Sequence, residues 1–150
     1  LFWHADTRPQ PGWVALVERF IKNPDHNFHT AFFMLALNDS SDDARRVERL
    51  ANWRAQTLHL PYGDQGLLIS AAYYDHLGGY RTDLPLMEDV EVSRRLKKFS
   101  NPACLSQKVV TSSRRWEQGG IFKTMRLMWR LRLAYWLGSS PDQLARLYRQ

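Results

Sequence analysis

The acidic pair Glu88-Asp89 carries the clearest chemical signal in the chain. It opens a predicted helix, Glu88 to Phe99, and follows a short polar connector from Tyr80 to Met87. A carboxylate at such a helix start can approach a ligand and take a proton from it. Acids are also common in the first turn of a helix for a structural reason, because they interact favourably with the helix dipole. We interpret Asp89 as a candidate general base, with Glu88 beside it.

A second candidate site lies near the start of the chain, at His4-Ala5-Asp6. The residues before it predict a strand from Leu1 to Ala5, and ligands of open α/β sheets gather where strands end. Side chains two positions apart on a strand point to the same side, so His4 and Asp6 can face one ion. An imidazole with a carboxylate suits Mn²⁺ and tolerates Mg²⁺. The plain alternative is a surface turn closed by a side-chain hydrogen bond.

Two glycine-containing loops are candidates for binding a ligand. In Gly63-Asp64-Gln65-Gly66 a carboxylate and an amide stand between glycines, where they can hydrogen-bond to the hydroxyl groups of a sugar or an alcohol. Gly78-Gly79 forms a turn ahead of the acidic pair, and glycine lets a ligand approach the backbone closely. The common alternative for both is an ordinary turn between elements. The candidate ligand-binding residues of these loops are Gly63, Asp64, Gln65, Gly78 and Gly79.

A pair suited to a diphosphate and a sugar follows the last predicted strand. Arg115 can bind a diphosphate through two parallel hydrogen bonds. Trp116 offers a flat apolar face to a sugar ring. The alternative is a surface arginine that stacks on a half-buried tryptophan.

The helix predicted from Gly119 to Leu137 is apolar on most of its sides. One side carries Phe122, Met125, Trp129, Leu133 and Trp136, and a basic stripe of Lys123, Arg126 and Arg130 lies beside it. Such a helix is either buried by the rest of a domain, with arginines that reach out to solvent, or lies on lipid. Tryptophan, leucine and arginine together are typical of a helix that binds anionic headgroups. A non-enzymatic module that docks on a membrane through Ile121 to Leu137 is therefore an alternative function.

Composition favours an anionic partner. The 150 residues include 21 Lys and Arg against 15 Asp and Glu, a formal charge of +6, which suits a nucleoside diphosphate or an anionic membrane surface. The basic residues are spread over several helices without a recognised binding motif, so we expect no nucleic-acid partner. The single cysteine, Cys104, cannot form an internal disulfide, and the start of the chain shows no signal-peptide pattern. These features favour a cytoplasmic protein, peripheral on the inner face of the cell membrane if the C-terminal helix binds lipid.

Predicted strands and helices alternate along the chain, which indicates an α/β domain whose mixed sheet is flanked by helices. Strands are predicted at Thr30 to Leu37, Gly66 to Ala71 and Ala103 to Thr111, and helices at Trp13 to Lys22, Asp43 to Leu58, Tyr73 to Leu77 and a last one after Ser140. We expect a sheet-containing part, residues 1–118, and an amphipathic helical extension, residues 119–150. The apolar start, Leu1-Phe2-Trp3, suggests that the chain begins inside a domain.

Five segments in this order resemble glycosyltransferase family 2, which has the GT-A fold. They are Phe2 to Thr7, Tyr62 to Gly66, Pro85 to Glu91, Ser113 to Glu117 and Tyr135 to Gly138. The resemblance covers nearly the whole chain, and the ordered set is more specific than any one segment. It implies a partial GT-A fold that begins at a D-x-D-like motif. The nucleotide-binding part of the family's domain precedes that motif and is expected to be absent from these residues.

The resemblance also implies residue roles. Asp6 matches the second acid of the metal-binding D-x-D motif, and His4 stands in the place of its first acid. Asp89 matches the second residue of the E-D pair, the usual catalytic base. Ser112 to Trp116 is similar to the Q-x-x-R-W motif, with Ser112 in the place of the glutamine. Since that motif accompanies processive synthesis, its altered form favours the transfer of a single sugar.

The resemblance implies a glycosyltransferase that inverts the anomeric carbon and requires a divalent metal, Mg²⁺ or Mn²⁺. Its partners would be a nucleotide-sugar donor and an acceptor hydroxyl, and the two glycine loops, with Gly63, Asp64, Gln65, Gly78 and Gly79, would bind the acceptor. Lipid-linked acceptors are common in the wider family. A sheet without its N-terminal strands would also expose an edge through which two copies can pair.

Overall fold

Four strands form one mixed, curled sheet in the part of the chain that the computed structural model describes, residues 1–23, 29–114 and 120–148. The order across the sheet is β1-β4-β2-β3. β4 and β2 are parallel at its centre, and β1 and β3 are antiparallel to their neighbours. The strands are β1 (Thr7–Pro9), β2 (Thr30–Leu37), β3 (Leu67–Ile69) and β4 (Ala103–Thr111).

The helices flank this sheet, so the predicted α/β class with a mixed sheet is confirmed. They are α1 (Trp13–Lys22), α2 (Asp42–Leu58), α3 (Ala71–His76), α4 (Glu88–Lys97), α5 (Ile121–Trp136) and α6 (Pro141–Tyr148). Serine caps set three of the helix starts. The hydroxyl of Ser41 accepts from the amide of Ala44 at the start of α2, and Ser70 does the same for Tyr73 at α3. At α6, Ser140 and Gln143 bond reciprocally as a capping box.

The predicted strand from Leu1 to Ala5 is wrong. Phe2 makes a single bridge to Leu67 on the outer side of β3, and the chain then turns, with the amide of Thr7 donating to the carbonyl of His4. The strand begins only at Thr7, so Asp6 precedes a strand and does not follow one. The apolar side chains that suggested a strand pack as aromatic contacts instead, Phe2 against Tyr74 and Trp3 against Trp13.

The segment from Phe2 to Pro9 contributes to both edges of the curled sheet. Phe2 and Leu67 exchange two backbone hydrogen bonds of 2.8 and 2.7 Å at the outer side of β3. A few residues later, Thr7 pairs with Thr111 of β4, and their hydroxyl groups are 2.8 Å apart. The first nine residues therefore cover edges that the sheet would otherwise expose.

Side chains of α2 cover the part of β2 that extends beyond β3. The Leu35 amide donates to Asn52 Oδ1 at 2.7 Å, the Asn52 amide donates back to the Leu35 carbonyl at 3.0 Å, and the Leu37 amide donates to Glu48 Oε1 at 2.6 Å. Two residues along a strand, as from Leu35 to Leu37, span about 6.8 Å, and four along a helix, as from Glu48 to Asn52, span about 6 Å. The two helix side chains are therefore spaced to match the two strand residues. The Leu35 amide and carbonyl and the Leu37 amide are thus satisfied without another strand.

The C-terminal helices share a core with α4. Leu131 of α5 and Leu144 of α6 are fully buried against Met87 and Val90, with Tyr62 packed alongside. The predicted boundary at residue 118 lies outside the described residues. Within the described part of the chain, the helical extension is packed onto the sheet-bearing part. None of the described helices is long and apolar enough to cross a membrane.

Candidate functional site

The start of α4 is joined to the glycine loop by one hydrogen bond. Gly63 to Gln65 form a short 3₁₀ turn, and the Gly63 amide donates to Asp89 Oδ2 at 2.9 Å. Asp89 Oδ1 is 2.7 Å from the amide of Val90. Each carboxylate oxygen has two lone pairs, so both can still accept a proton or a hydrogen bond from a ligand. Two of the predicted site segments are therefore in contact.

The backbone is strained immediately before the acidic pair. Met87, the residue that caps α4, has φ 67, a left-handed conformation that costs a non-glycine residue about 1 to 3 kcal/mol. Its side chain is buried in the core shared by α4, α5 and α6, which holds it in place. Left-handed non-glycine residues cluster at functional sites. The strain fixes the direction in which Glu88 and Asp89 leave the loop.

His4 lies directly against the glycine loop. A Cβ placed on Gly63 would stand 2.1 Å from His4 Nε2, so only glycine leaves room for this imidazole. Gly63 has an ordinary φ, and its requirement for glycine is therefore one of space. His4, Gly63 and Asp89, which are far apart in the sequence, meet at one place.

Asp64 has a buried carboxylate oxygen that lacks a partner. Its Oδ1 is inaccessible to solvent and makes no hydrogen bond. Burial raises the pKa of this carboxyl, Arg54 lowers it, Asp89 raises it further and His4 lowers it. A buried acceptor without a donor is costly unless it is protonated or a ligand supplies the donor. Asp64 therefore carries an unsatisfied buried acceptor next to Gly63 and near Asp89.

Two arginines and a tyrosine form the wall of the site next to Asp64, and the sequence did not predict the two arginines. The Arg54 guanidinium lies 3.6 Å from the centre of the Tyr62 ring, and Arg132 of α5 donates to the Tyr62 hydroxyl at 3.5 Å. Burial lowers the pKa of Arg54, while Tyr62 and Asp64 raise it. Arginine stays charged under such conditions, so positive charge faces the acids.

Tyr80 is a further residue that the sequence analysis missed. Burial, followed by the charges of Asp89 and Glu88, raises the pKa of its phenol. Its ring packs edge-on against Phe2 with the centroids 5.3 Å apart, and its backbone amide donates to the Tyr74 hydroxyl. A protonated phenol near the acidic pair can donate a hydrogen bond to a ligand. Its position in the connector gave no periodic signal.

Gln65 has a different role from the acceptor contact that was predicted. Its side chain is fully buried, its carbonyl accepts from Arg54 Nη2 at 2.9 Å, and its amide donates to Asn52 Oδ1 at 3.3 Å. Both ends of the amide are engaged within the protein, which leaves none facing a cleft. Gln65 therefore anchors the 3₁₀ turn to α2 and so holds Gly63 and Asp64 in position.

Gly78 and Gly79 end α3 in a Schellman motif. The Gly79 amide donates to Tyr74 and the Gly78 amide to Asp75, and both glycines have positive φ. The Gly79 carbonyl accepts from Arg95 Nη2 at 2.6 Å. The helix end explains both glycines, and their contact with an acceptor stays a prediction.

Asp6 is exposed, in the turn after His4. In residues 1–23, 29–114 and 120–148, no group of three or more His, Cys, Asp or Glu side chains is placed to hold a metal ion. A nucleotide-bound Mg²⁺ commonly uses only one or two carboxylates, with phosphate oxygens and water completing its shell. Asp6 is an exposed carboxylate two residues after His4, which is the type of ligand that such an ion uses, and its role in metal binding stays a prediction.

Arg115 and Trp116 lie outside the described residues, so their predicted contacts with a diphosphate and a sugar stay predictions. The strand that leads to them is described to its end, where the Ser113 amide donates to Asn38 Oδ1 at 2.6 Å. Comparisons of the chain with protein-family models, with curated proteins and with solved structures find no match.

Proposed function

We propose that this chain is part of a glycosyltransferase with a GT-A fold, which moves a sugar from a nucleoside-diphosphate donor to an acceptor hydroxyl with inversion. The observation that carries the proposal is the meeting of His4, the Gly63-Asp64 turn and Asp89 at the start of α4. These groups belong to three of the five segments that resemble family 2. The convergence of chemically competent residues from distant segments supports a site more strongly than the motifs alone.

Asp89 acts as the general base in this proposal. One carboxylate oxygen of Asp89 accepts the proton of the acceptor hydroxyl while the hydroxyl oxygen bonds to the anomeric carbon. The bond from this carbon to the diphosphate breaks on the opposite face. The Gly63 amide holds the carboxylate in place during the transfer. Such positioning matters because in-line attack requires the reacting atoms to be aligned to within a fraction of an ångström.

In this proposal Asp64 and Tyr80 orient the acceptor. The half-buried carboxylate of Asp64 would accept a hydrogen bond from a second hydroxyl of the acceptor. Tyr80 lies close enough to Glu88 and Asp89 to be affected by their charge, and its phenol can donate to the same ligand. Glu88 contributes negative charge at the helix start beside the base.

Asp6 and His4 are the residues that would hold a divalent cation. Such a cation, when bound, neutralises the charge that grows on the leaving diphosphate. Arg54 and Arg132 add fixed positive charge on the Tyr62 side of the site. Arg115 and Trp116 are proposed to contact the diphosphate and the sugar of the donor.

A screen of nucleotide sugars by thermal stabilisation, with and without Mn²⁺, tests this function. It should be run on this chain and on any longer polypeptide that contains it, because the family keeps its nucleotide-binding strands N-terminal to the D-x-D motif. We expect one class of nucleoside diphosphate to raise the melting temperature only when Mn²⁺ is present. Asp6→Asn should remove that rise, whereas Asp75→Asn, at an exposed acid on α3, should keep it. A melting temperature that depends on neither Mn²⁺ nor nucleotide in any of the proteins tested would contradict the proposal.

A further inference from the structure

One side of α5 exposes a band of large apolar side chains. Trp129 is 66% exposed, Leu133 58%, Trp136 66% and Leu137 78%. They are separated by three, four or one positions, so they lie together on one side of the helix. Single exposed apolar residues are ordinary, but a contiguous patch of this kind marks an interaction surface.

The opposite side of α5 is firmly packed. Leu131 is fully buried with Leu144 and Val90, and Thr124 is buried near the start of the helix. The sequence left open that the whole helix is core with arginines reaching out to solvent, and the described side chains contradict this. The helix has one buried side and one solvent side, and the orientation of the apolar band is therefore fixed by the core.

Basic residues run along the apolar band. Lys123, Arg126 and Arg130 are exposed on the same side of α5, and the helix contains no Asp or Glu. Each of the two tryptophans in the band also has an arginine close to its ring. Arg132 lies 5.2 Å from the Trp129 ring centre and Arg94 lies 5.9 Å from that of Trp136. The surface thus combines indole rings, leucines and cations, with no acid to pair with them along the helix.

We propose that this side of α5, from Lys123 to Leu137, docks on the surface of an anionic phospholipid bilayer. Tryptophan side chains favour the level of the lipid headgroups, where the apolar part of the ring faces the acyl chains and its polar edge faces water. Lys and Arg side chains at the same level attract anionic lipid. The helix would lie in the plane of the interface with Trp129, Leu133, Trp136 and Leu137 inserted.

A second copy of the chain fits this surface poorly. A two-fold contact places the same face on both partners, so the basic residues Lys123, Arg126 and Arg130 would meet one another with no acid on the helix to neutralise them. Anionic phosphates supply that missing negative charge.

The docked surface adjoins the candidate site. Arg132 of α5 donates to the hydroxyl of Tyr62, and Tyr62 is the residue just before the Gly63-Asp64 turn. If the proposed glycosyl transfer is correct, an acceptor held in the membrane would reach Asp64 and Asp89 from the docked side. The docking itself does not depend on that activity, because it is measured by vesicle binding alone.

Flotation with phosphatidylcholine vesicles, with and without phosphatidylglycerol, tests the docking. We expect the chain to float only with the anionic vesicles. Arg126→Glu/Arg130→Glu and, separately, Leu133→Asn/Leu137→Asn should each weaken binding at least about tenfold. The matched controls are on α1, where Arg19→Glu/Lys22→Glu reverses two exposed charges and Ile21→Asn removes a side chain that is 67% exposed. These should bind as the parent chain does.

Quenching by brominated lipid locates the contact. Trp129→Phe/Trp136→Phe should float with the vesicles and lose most of the quenching that the parent chain shows. Unchanged binding by both α5 double variants would overturn the proposal. An equal loss of vesicle binding in the α1 controls would also overturn it. A third contrary result is an absence of vesicle binding together with self-association, measured by sedimentation, if Leu133→Asn/Leu137→Asn abolishes that self-association.

Discussion

The carboxylate of Asp89 accepts a hydrogen bond of 2.9 Å from the backbone amide of Gly63, 26 residues earlier in the chain. This bond ties the first turn of α4 to the turn that carries Asp64 and adjoins His4. The position of the candidate base therefore depends on the glycine loop as much as on its own helix.

Asp89→Asn should abolish sugar transfer and leave the fold intact. The asparagine carbonyl can still accept from Gly63, but an amide cannot take a proton, and loss of a general base costs about 10² to 10⁴ in rate. Turnover of the donor found by the nucleotide-sugar screen, together with circular dichroism, measures this. Asp142→Asn changes an acid in the first turn of α6 and serves as the matched control. Full activity in Asp89→Asn would remove this residue from the mechanism.

Removal of metal should stop turnover if Asp6 has the proposed role. EDTA should reduce the rate to background, added Mn²⁺ should restore it, and Asp6→Asn should raise the Mn²⁺ concentration required by roughly tenfold or more. The measurement is initial rate against free Mn²⁺. Asp75→Asn should follow the parent curve. An undiminished rate in EDTA would contradict the assignment.

Gly63→Ala should displace the His4 imidazole. The new methyl group would stand 2.1 Å from Nε2, and the side chain that must move is that of His4. We expect a loss of unfolding free energy of about 1 kcal/mol in the parent chain and almost none in a His4→Ala background, because the two residues are in contact. Urea unfolding of the four proteins measures the coupling. Additive losses would show that His4 does not occupy this position.

Asp64→Asn should change how stability depends on pH. Because burial raises the pKa of Asp64, the folded chain binds more protons than the unfolded chain between the ordinary and the raised value. Ionisation of Asp64 therefore lowers the unfolding free energy as the pH rises through this window. The asparagine variant should be the more stable protein at neutral pH, and its advantage should vanish below about pH 4, the ordinary range of aspartate. Urea unfolding across pH tests this, and a constant difference would contradict it.

Asn52→Ala should destabilise the chain by about 1 to 3 kcal/mol. The substitution leaves the amide and carbonyl of Leu35 unsatisfied, and it removes a partner of Gln65 in the buried turn. Thermal and urea unfolding measure the loss. Arg49→Ala, at an exposed position of the same helix, should stay within about 0.5 kcal/mol of the parent. Equal effects at the two positions would show that the Asn52 bonds contribute little.

The regular elements could be predicted from local pattern. Helix α1 and strands β2 and β4 have the predicted bounds, because apolar periodicity and flanking turn residues define them. The start of the chain could not be predicted in this way. Leu1-Phe2-Trp3 has the composition of a strand, but whether it pairs depends on a partner, and only Phe2 finds one, at Leu67.

The candidate site was only partly predictable for the same reason. The types and order of residues singled out His4, Asp64 and Asp89, and the structure brings these together. Arg54 and Arg132 lie on separate helices and both lie over the Tyr62 ring, a relationship set by tertiary packing. The shared site of Asp6 and Asp89 that the family roles imply stays a prediction, because Asp6 is exposed in a turn and not held on a strand.

The bonds from β2 to α2 determine what isotope exchange would report in this protein. The amide protons of Leu35 and Leu37 are held by Asn52 and Glu48, which are side chains of a helix. In a conventional sheet, deuterium reaches such protons when neighbouring strands separate. Here exchange would require α2 to separate from β2. Slow exchange of the Leu35 and Leu37 amides would therefore report how stably α2 is packed on the sheet.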